Sequence, residues 1–245
     1  MATEPKAIRR AVLRALIAIC LCLPIGFGEA FAQALGEDWP SNPEEVSLVV
    51  LTPRIKLYQV DDRGAMALRE DWSATARERV SDALKAFLAD SSATIAWESG
   101  SVVSPEQRRL TEDLKAVHAA VGAAMTGHFG GGGVLQTKRQ DPRWTLGEGT
   151  GPLGQAHGAD YALFIQISDS HATGERIAGA AAQQLVVGFG MDKAFLRRIG
   201  FASLVHLATG RVVWFGHQIS TIGSLRREKD TRDILDDLLA GFPAQ

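Results

Sequence analysis

The chain has 245 residues, 46% of them apolar and 22% charged, a balance that excludes a disordered polymer. Its 26 Lys and Arg against 28 Asp and Glu give a formal net charge of -2 at pH 7. That excludes a strongly basic protein that holds nucleic acid by neutralising phosphates, and equally a polyacidic tail.

Residues 1–32 read as an export signal. Lys6, Arg9, Arg10 and Arg14 make a positive start, 15–27 is mostly apolar, and Ala30-Phe31-Ala32 supplies the small-x-small pattern of a signal peptidase site. The expected cut lies between Ala32 and Gln33. The alternative is an uncleaved anchor, but the apolar run is shorter than the roughly 20 residues of a bilayer span and contains Pro24. The stretch from Arg9 to Arg14 resembles a twin-arginine signal. Ile8 replaces its usual Ser or Thr and Val12 its usual Phe, so general secretory export is the expectation. Cys20 follows Ile19 and Cys22 follows Leu21, not the small residue of a lipid-attachment site. Both cysteines of the chain lie in this segment, so the mature protein is expected to have no disulfide and no thiol chemistry.

Residues 33–45 are polar and carry two prolines, and read as a flexible lead-in. A single domain is expected over 46–242. Strands are predicted at 46–51 and 55–60, the second ending in the turn residues Asp61-Asp62-Arg63-Gly64. A helix follows from an N-cap at Ser73 to about Ala89, with Val80, Ala83, Leu84, Phe87 and Leu88 on its apolar face. A short strand covers 94–97. The next helix has the clearest start: Ser104 caps, Pro105 takes the first position and Gln107 completes a capping box. Its stripe is Leu110, Leu114, Val117, Val121 and Met125, His118 falls at the edge, and the glycines at 130–133 end it.

Residues 134–154 are Gly-rich and irregular, and a short helix is expected up to Gly158. The run 161–167 reads as a central strand covered on both faces, and 174–190 as a helix. Strands at 201–207 and 212–219 flank Ala208-Thr209-Gly210 as a hairpin, with Gly210 at the positive-φ position. A final amphipathic helix at 230–239 points Ile234, Leu235, Leu238 and Leu239 inward. The fold class expected from this order is α/β: one mixed sheet flanked by helices, with a C-terminal hairpin followed by a helix.

Several short strings resemble a group of exported bacterial proteins of unknown function: Asp71-Trp72-Ser73, Trp144-Thr145-Leu146-Gly147, Gly158-Ala159-Asp160-Tyr161-Ala162-Leu163-Phe164 with Ser168-Asp169, Gly200-Phe201-Ala202-Ser203-Leu204, and Thr209-Gly210 before Val213-Trp214-Phe215. A more distant resemblance is to the α/β domain shared by the curli secretion protein CsgG, the penicillin-binding-protein activator LpoB and the TolB N-terminal domain. There too an Ala-Asp-Tyr strand precedes a hairpin with Thr-Gly at its tip. The resemblance implies a non-catalytic envelope domain that binds partners or assembles with itself.

The residues themselves offer little catalysis. None of the six histidines has metal-ligand spacing, and no cofactor is expected. Ser168-Asp169-Ser170-His171 contains the residue types of a triad, but Gly-x-Ser-x-Gly is absent, and Ser168, Asp169 and Ser170 are expected to end the strand and bond nearby amides. The glycines at 130–133 follow a helix and lack the Gly-Lys-Ser/Thr of a phosphate loop. Lys138, Arg139, Arg143 and Trp144 form a possible binding surface. Residues 174–190 lack the several cations of a membrane-surface helix, since only Arg176 is present. The leading expectation is an exported, periplasmic or secreted accessory or assembly protein that binds an envelope protein or itself, not nucleic acid. The alternatives are a hydrolase using Asp169 with His171 or His157, and a small-ligand or glycan-binding module.

Overall fold

Alternation along one strand lays out the whole molecule. In the computed structural model, which describes residues 30–34, 46–98, 104–130, 135–140, 143–172 and 197–244, strand β6 (Tyr161–Ala172) is central. Tyr161, Leu163, Ile165 and Ile167 face one apolar cluster, while Ala162 and Phe164 face another, as the period of two requires. Both faces are covered, and the run is correspondingly apolar.

Among the described residues the sheet has eight strands. On one side of β6, β7 (Arg198–His206) and β8 (Arg211–Ser220) form the expected hairpin, and β1 (Ala30–Ala34) closes the edge antiparallel to β8. On the other side, two parallel strands share β6 end to end. β2 (Ser47–Val50) pairs with its first residues and β3 (Arg54–Val60) with its last. The break between them is Thr52-Pro53. Beyond β2 lies β5 (Thr94–Trp97), parallel, and beyond β3 lies β4 (Met66–Leu68), antiparallel.

Helices α1 (Glu70–Phe87) and α5 (Glu228–Leu238) cover one face, burying Val80, Leu84, Ile234 and Leu238 against β6 and β7. Helix α2 (Pro105–Phe129) covers the other with Leu114 and Met125. A five-residue α3 (Gln136–Gln140), a 3-10 turn (Glu148–Thr150) and α4 (Gly151–His157) lie between α2 and β6. The architecture is the expected mixed α/β sheet between helices, with a hairpin and a helix at the C-terminal end. Among the described residues no helix is long and apolar enough to cross a membrane.

Local signals held where they had a geometric reason. Ser104 accepts from Gln107 N–H and the Gln107 side chain accepts from Ser104 N–H, a complete capping box. Gly210 has φ 69°, and a Cβ there would lie 2.0 Å from the Gly147 carbonyl oxygen.

Four expectations are corrected. Ser73 lies inside α1, which starts at Glu70; its Oγ donates to Arg69 O and accepts the N–H of Leu57, fastening helix to strand. Val117 is exposed and His118 is buried, because α2 turns His118 onto β6 and β7, 3.0 Å from Ser203 Oγ. Strand β6 does not end at Ile167 but runs on through Ser168-Asp169-Ser170-His171, held by β3 pairing from Gln166 to Ala172. Strands β1 and β4 are additional. The helix expected at 174–190 lies outside the described residues, as does most of the signal segment.

Candidate functional site

The break between β2 and β3 opens a cleft. One long strand, β6, carries β2 on its first part and β3 on its last, so their outer neighbours β5 and β4 lie on either side of Thr52-Pro53 with a gap between them. The gap is a cleft of about 440 Å³ at the carboxyl ends of β2 and β5, where parallel strands characteristically leave a binding crevice. Its walls come from β3 (Arg54, Ile55, Lys56), from β4 and α1 (Leu68, Glu70, Arg77), and from the segment after β5 with α2 (Glu98, Arg108, Glu112, Lys115).

Its charges divide into two groups. Lys115 is buried and bonds Glu98 at 3.0 Å and Glu112 at 3.1 Å. Glu98 Oε2 also accepts the Thr52 N–H at 2.7 Å. Burial works to raise the Glu98 pKa, but the Thr52 hydrogen bond and the Lys115 charge outweigh it and hold Glu98 below the usual carboxylate range. This group fixes the strand break to α2. The other group is Arg54, Lys56, Arg77 and Arg108, whose side chains have no ion pair or hydrogen bond among the described residues.

The far end of β6 holds the residues the sequence offered for hydrolysis. Asp169 is 4% exposed and accepts the Leu225 N–H at 3.4 Å. His171 Nε2 lies 3.1 Å from the same carboxylate oxygen, without the alignment of a hydrogen bond. Ser168 and Ser170 alternate onto the opposite face, and Ser170 Oγ accepts from Arg197 N–H. Beside Asp169 is Arg198, 3% exposed, donating to Gln218, which in turn donates to Asp237. Burial lowers the Arg198 pKa, while Asp169, Asp230 and Asp237 oppose that shift. The group ties β6, β7 and β8 to α5 and the loop that leads into it. Above it the Trp72 ring takes the Arg226 guanidinium at 4.0 Å and that of Arg69 at 4.2 Å.

Asp160 and His157 lie at the other end of the strand. Asp160 Oδ2 accepts from Ser47 Oγ at 2.6 Å, and His157 ends α4. At ~3.3 Å per residue, Asp160 and Asp169 are about 30 Å apart. The structure therefore brings His171 to Asp169 and leaves His157 away from it.

The binding surface expected at Lys138, Arg139, Arg143 and Trp144 is divided. Trp144 is buried beside Phe129 and His128, and its carbonyl accepts the Val212 N–H. Lys138 Nζ lies 4.6 Å over the Trp144 ring and donates to the Arg143 carbonyl. Arg143 is exposed, and of Arg139 only the backbone is described. Of the other histidines, His206 bonds Thr209, His128 accepts from Leu135 N–H, and His217 is buried and stacked on Phe215. Among the described residues no group of three His, Cys, Asp or Glu is placed to hold a metal.

No protein-family model matches the chain, and no curated protein does. Solved structures similar to it include two PelC dodecamers from Paraburkholderia phytofirmans. One, a variant, has 9% identity and a TM-score of 0.40, over 89% of this chain and 100% of that one. The other has 10% identity and a TM-score of 0.37, over 86% of this chain and 97% of that one. Likeness at this level shows neither the assembly state nor the activity of the present chain.

Proposed function

We propose that this chain is an exported accessory or assembly protein of the cell envelope, acting by binding a protein partner or a second copy of itself and not by catalysis. The observation that carries this reading is the open outer edge of the sheet. Strand β4 pairs only with β3 and β5 only with β2 among the described residues. There Met66 is 53% exposed, Leu68 40% and Trp97 37%, three large apolar side chains on either side of one cleft. Unpaired strand edges with exposed apolar residues are surfaces on which another chain can dock. The arrangement at Asp169 also supports it: the carboxylate serves the Leu225 amide and Arg198, and both neighbouring serines face away. The signal-like segment and the resemblance to exported envelope domains support an envelope location.

A photo-activated cross-linking residue at Met66 or Trp97 tests the proposal in intact cells. Discrete adducts with one protein, or with a second copy, are expected. A chain that stays monomeric and free of adducts at both positions refutes it.

A further inference from the structure

We propose that the cleft between β4 and β5 is a binding site for a small ligand bearing two or more oxyanion groups, phosphate or carboxylate. The inference stands apart from the partner reading above and needs no second protein. Arg54, Lys56, Arg77 and Arg108 converge on one cleft of about 440 Å³ from three separate elements. The cleft's carboxylates do not answer them: Glu98 and Glu112 are bonded to Lys115, which leaves Glu70 alone. Four cations around one hollow repel one another, and an anion between them relieves that repulsion. Guanidinium groups suit the task because each presents paired donors that match two oxygens of a phosphate or carboxylate.

The dimensions agree. The volume lies within the roughly 300–1,000 Å³ of small-molecule sites, and Ile55 and Leu68 give the cleft apolar wall against which a ligand body can rest. Its floor is fixed, because Glu98 ties the Thr52 amide to Lys115. The cations are therefore mounted on the strand that follows a braced break, within α1 and on the first turn of α2, not on a loose loop.

Isothermal titration of the full chain in ~0.1 M salt, where exposed charges more than about 10 Å apart are screened, uses two probes. Inorganic pyrophosphate stands for phosphate ligands and a galacturonate trimer for carboxylate ligands. At least one is expected to bind at a single site. The Arg54→Gln/Arg77→Gln pair should weaken it tenfold or more with an unchanged melting temperature, and Lys138→Gln, outside the cleft, should leave it as it is. Binding of pyrophosphate alone assigns phosphate, and of the trimer alone, carboxylate. No binding of either probe overturns the proposal. So does equal binding by the paired variant, or equal weakening by Lys138→Gln, which would mean diffuse charge attraction. None of these outcomes touches the cross-linking result.

Discussion

The buried imidazole of His118 makes the stability of this protein depend on pH in a calculable way. The residue is 2% exposed, between Phe164 and Phe201, with ring centroids at 5.1 and 5.3 Å, and its Nε2 meets Ser203 Oγ at 3.0 Å. Burial alone pushes its pKa from 6.5 down to about 3. A histidine with a depressed folded pKa is neutral in the fold and titrates first in the unfolded chain. Its contribution is therefore constant above pH 6.5 and is lost as pH falls from 6.5 towards 3. Between pH 7.0 and 4.5 the unfolded state gains nearly one proton that the folded state does not, which costs about 2.5 kcal/mol at ~1.36 kcal/mol per pKa unit. Urea denaturation of the wild type and of His118→Gln at the two pH values isolates this quantity, since all other titrating groups are common to both. Gln keeps a partner for Ser203 and removes the proton site. The wild type should lose about 2.5 kcal/mol more than the variant over the interval. Equal losses in the two proteins would refute the argument, as would a His118 resonance that titrates near 6.5 in the folded state.

Asp169→Ala removes the acceptor of the Leu225 amide and one of the carboxylates around Arg198, and should cost about 3 kcal/mol by urea denaturation; a cost under about 0.5 kcal/mol would show that the carboxylate does not hold this region. A Cβ at Gly122 would lie 2.1 Å from Phe201 Cε2, so Gly122→Val should destabilise by about 1–3 kcal/mol, and Phe201→Leu in the same chain should recover part of it; strictly additive losses would contradict the close approach. Gly210→Ala places a side chain at φ 69° and against the Gly147 carbonyl, and a lowered melting temperature corresponding to about 1–3 kcal/mol is expected from thermal unfolding.

The strands and helices that could be read from sequence are those whose own residues impose the period. The capping box at Ser104 and the alternation before and after Gly210 needed no distant partner. Strand β4 has three residues and exists because Tyr58, Gln59 and Val60 pair with it, so nothing in Met66-Ala67-Leu68 announces it. Strand β1 lies in a segment whose composition says leader. On α2 the stripe through Val117 and the stripe through His118 differ by one position, about 100° of helix. The apolar residue lost because Phe164, Phe201 and Ser203 form a slot suited to a flat ring with a hydrogen-bonding edge. Trp144 beside basic residues looked like a surface, yet its backbone is drawn into the sheet at Val212. The cleft was the least legible feature. Arg54, Lys56, Arg77 and Arg108 are spread over more than fifty residues and meet only through the exchange of β2 for β3 along β6.

Strand β1 spans both sides of the Ala32–Gln33 bond, where the sequence pattern places a peptidase site, so the fold and a cut at that bond would compete for the same stretch of main chain. A peptidase takes its substrate as an extended stretch whose amides it pairs with itself, whereas Ala30, Phe31 and Ala32 are already laddered to Gln218, His217 and Gly216. A cut at that bond would have to come before this ladder zips up. After such a cut only Gln33 and Ala34 would remain opposite Phe215 and Trp214, and main chain of β8 at Gly216, His217 and Gln218 would be left for a new companion.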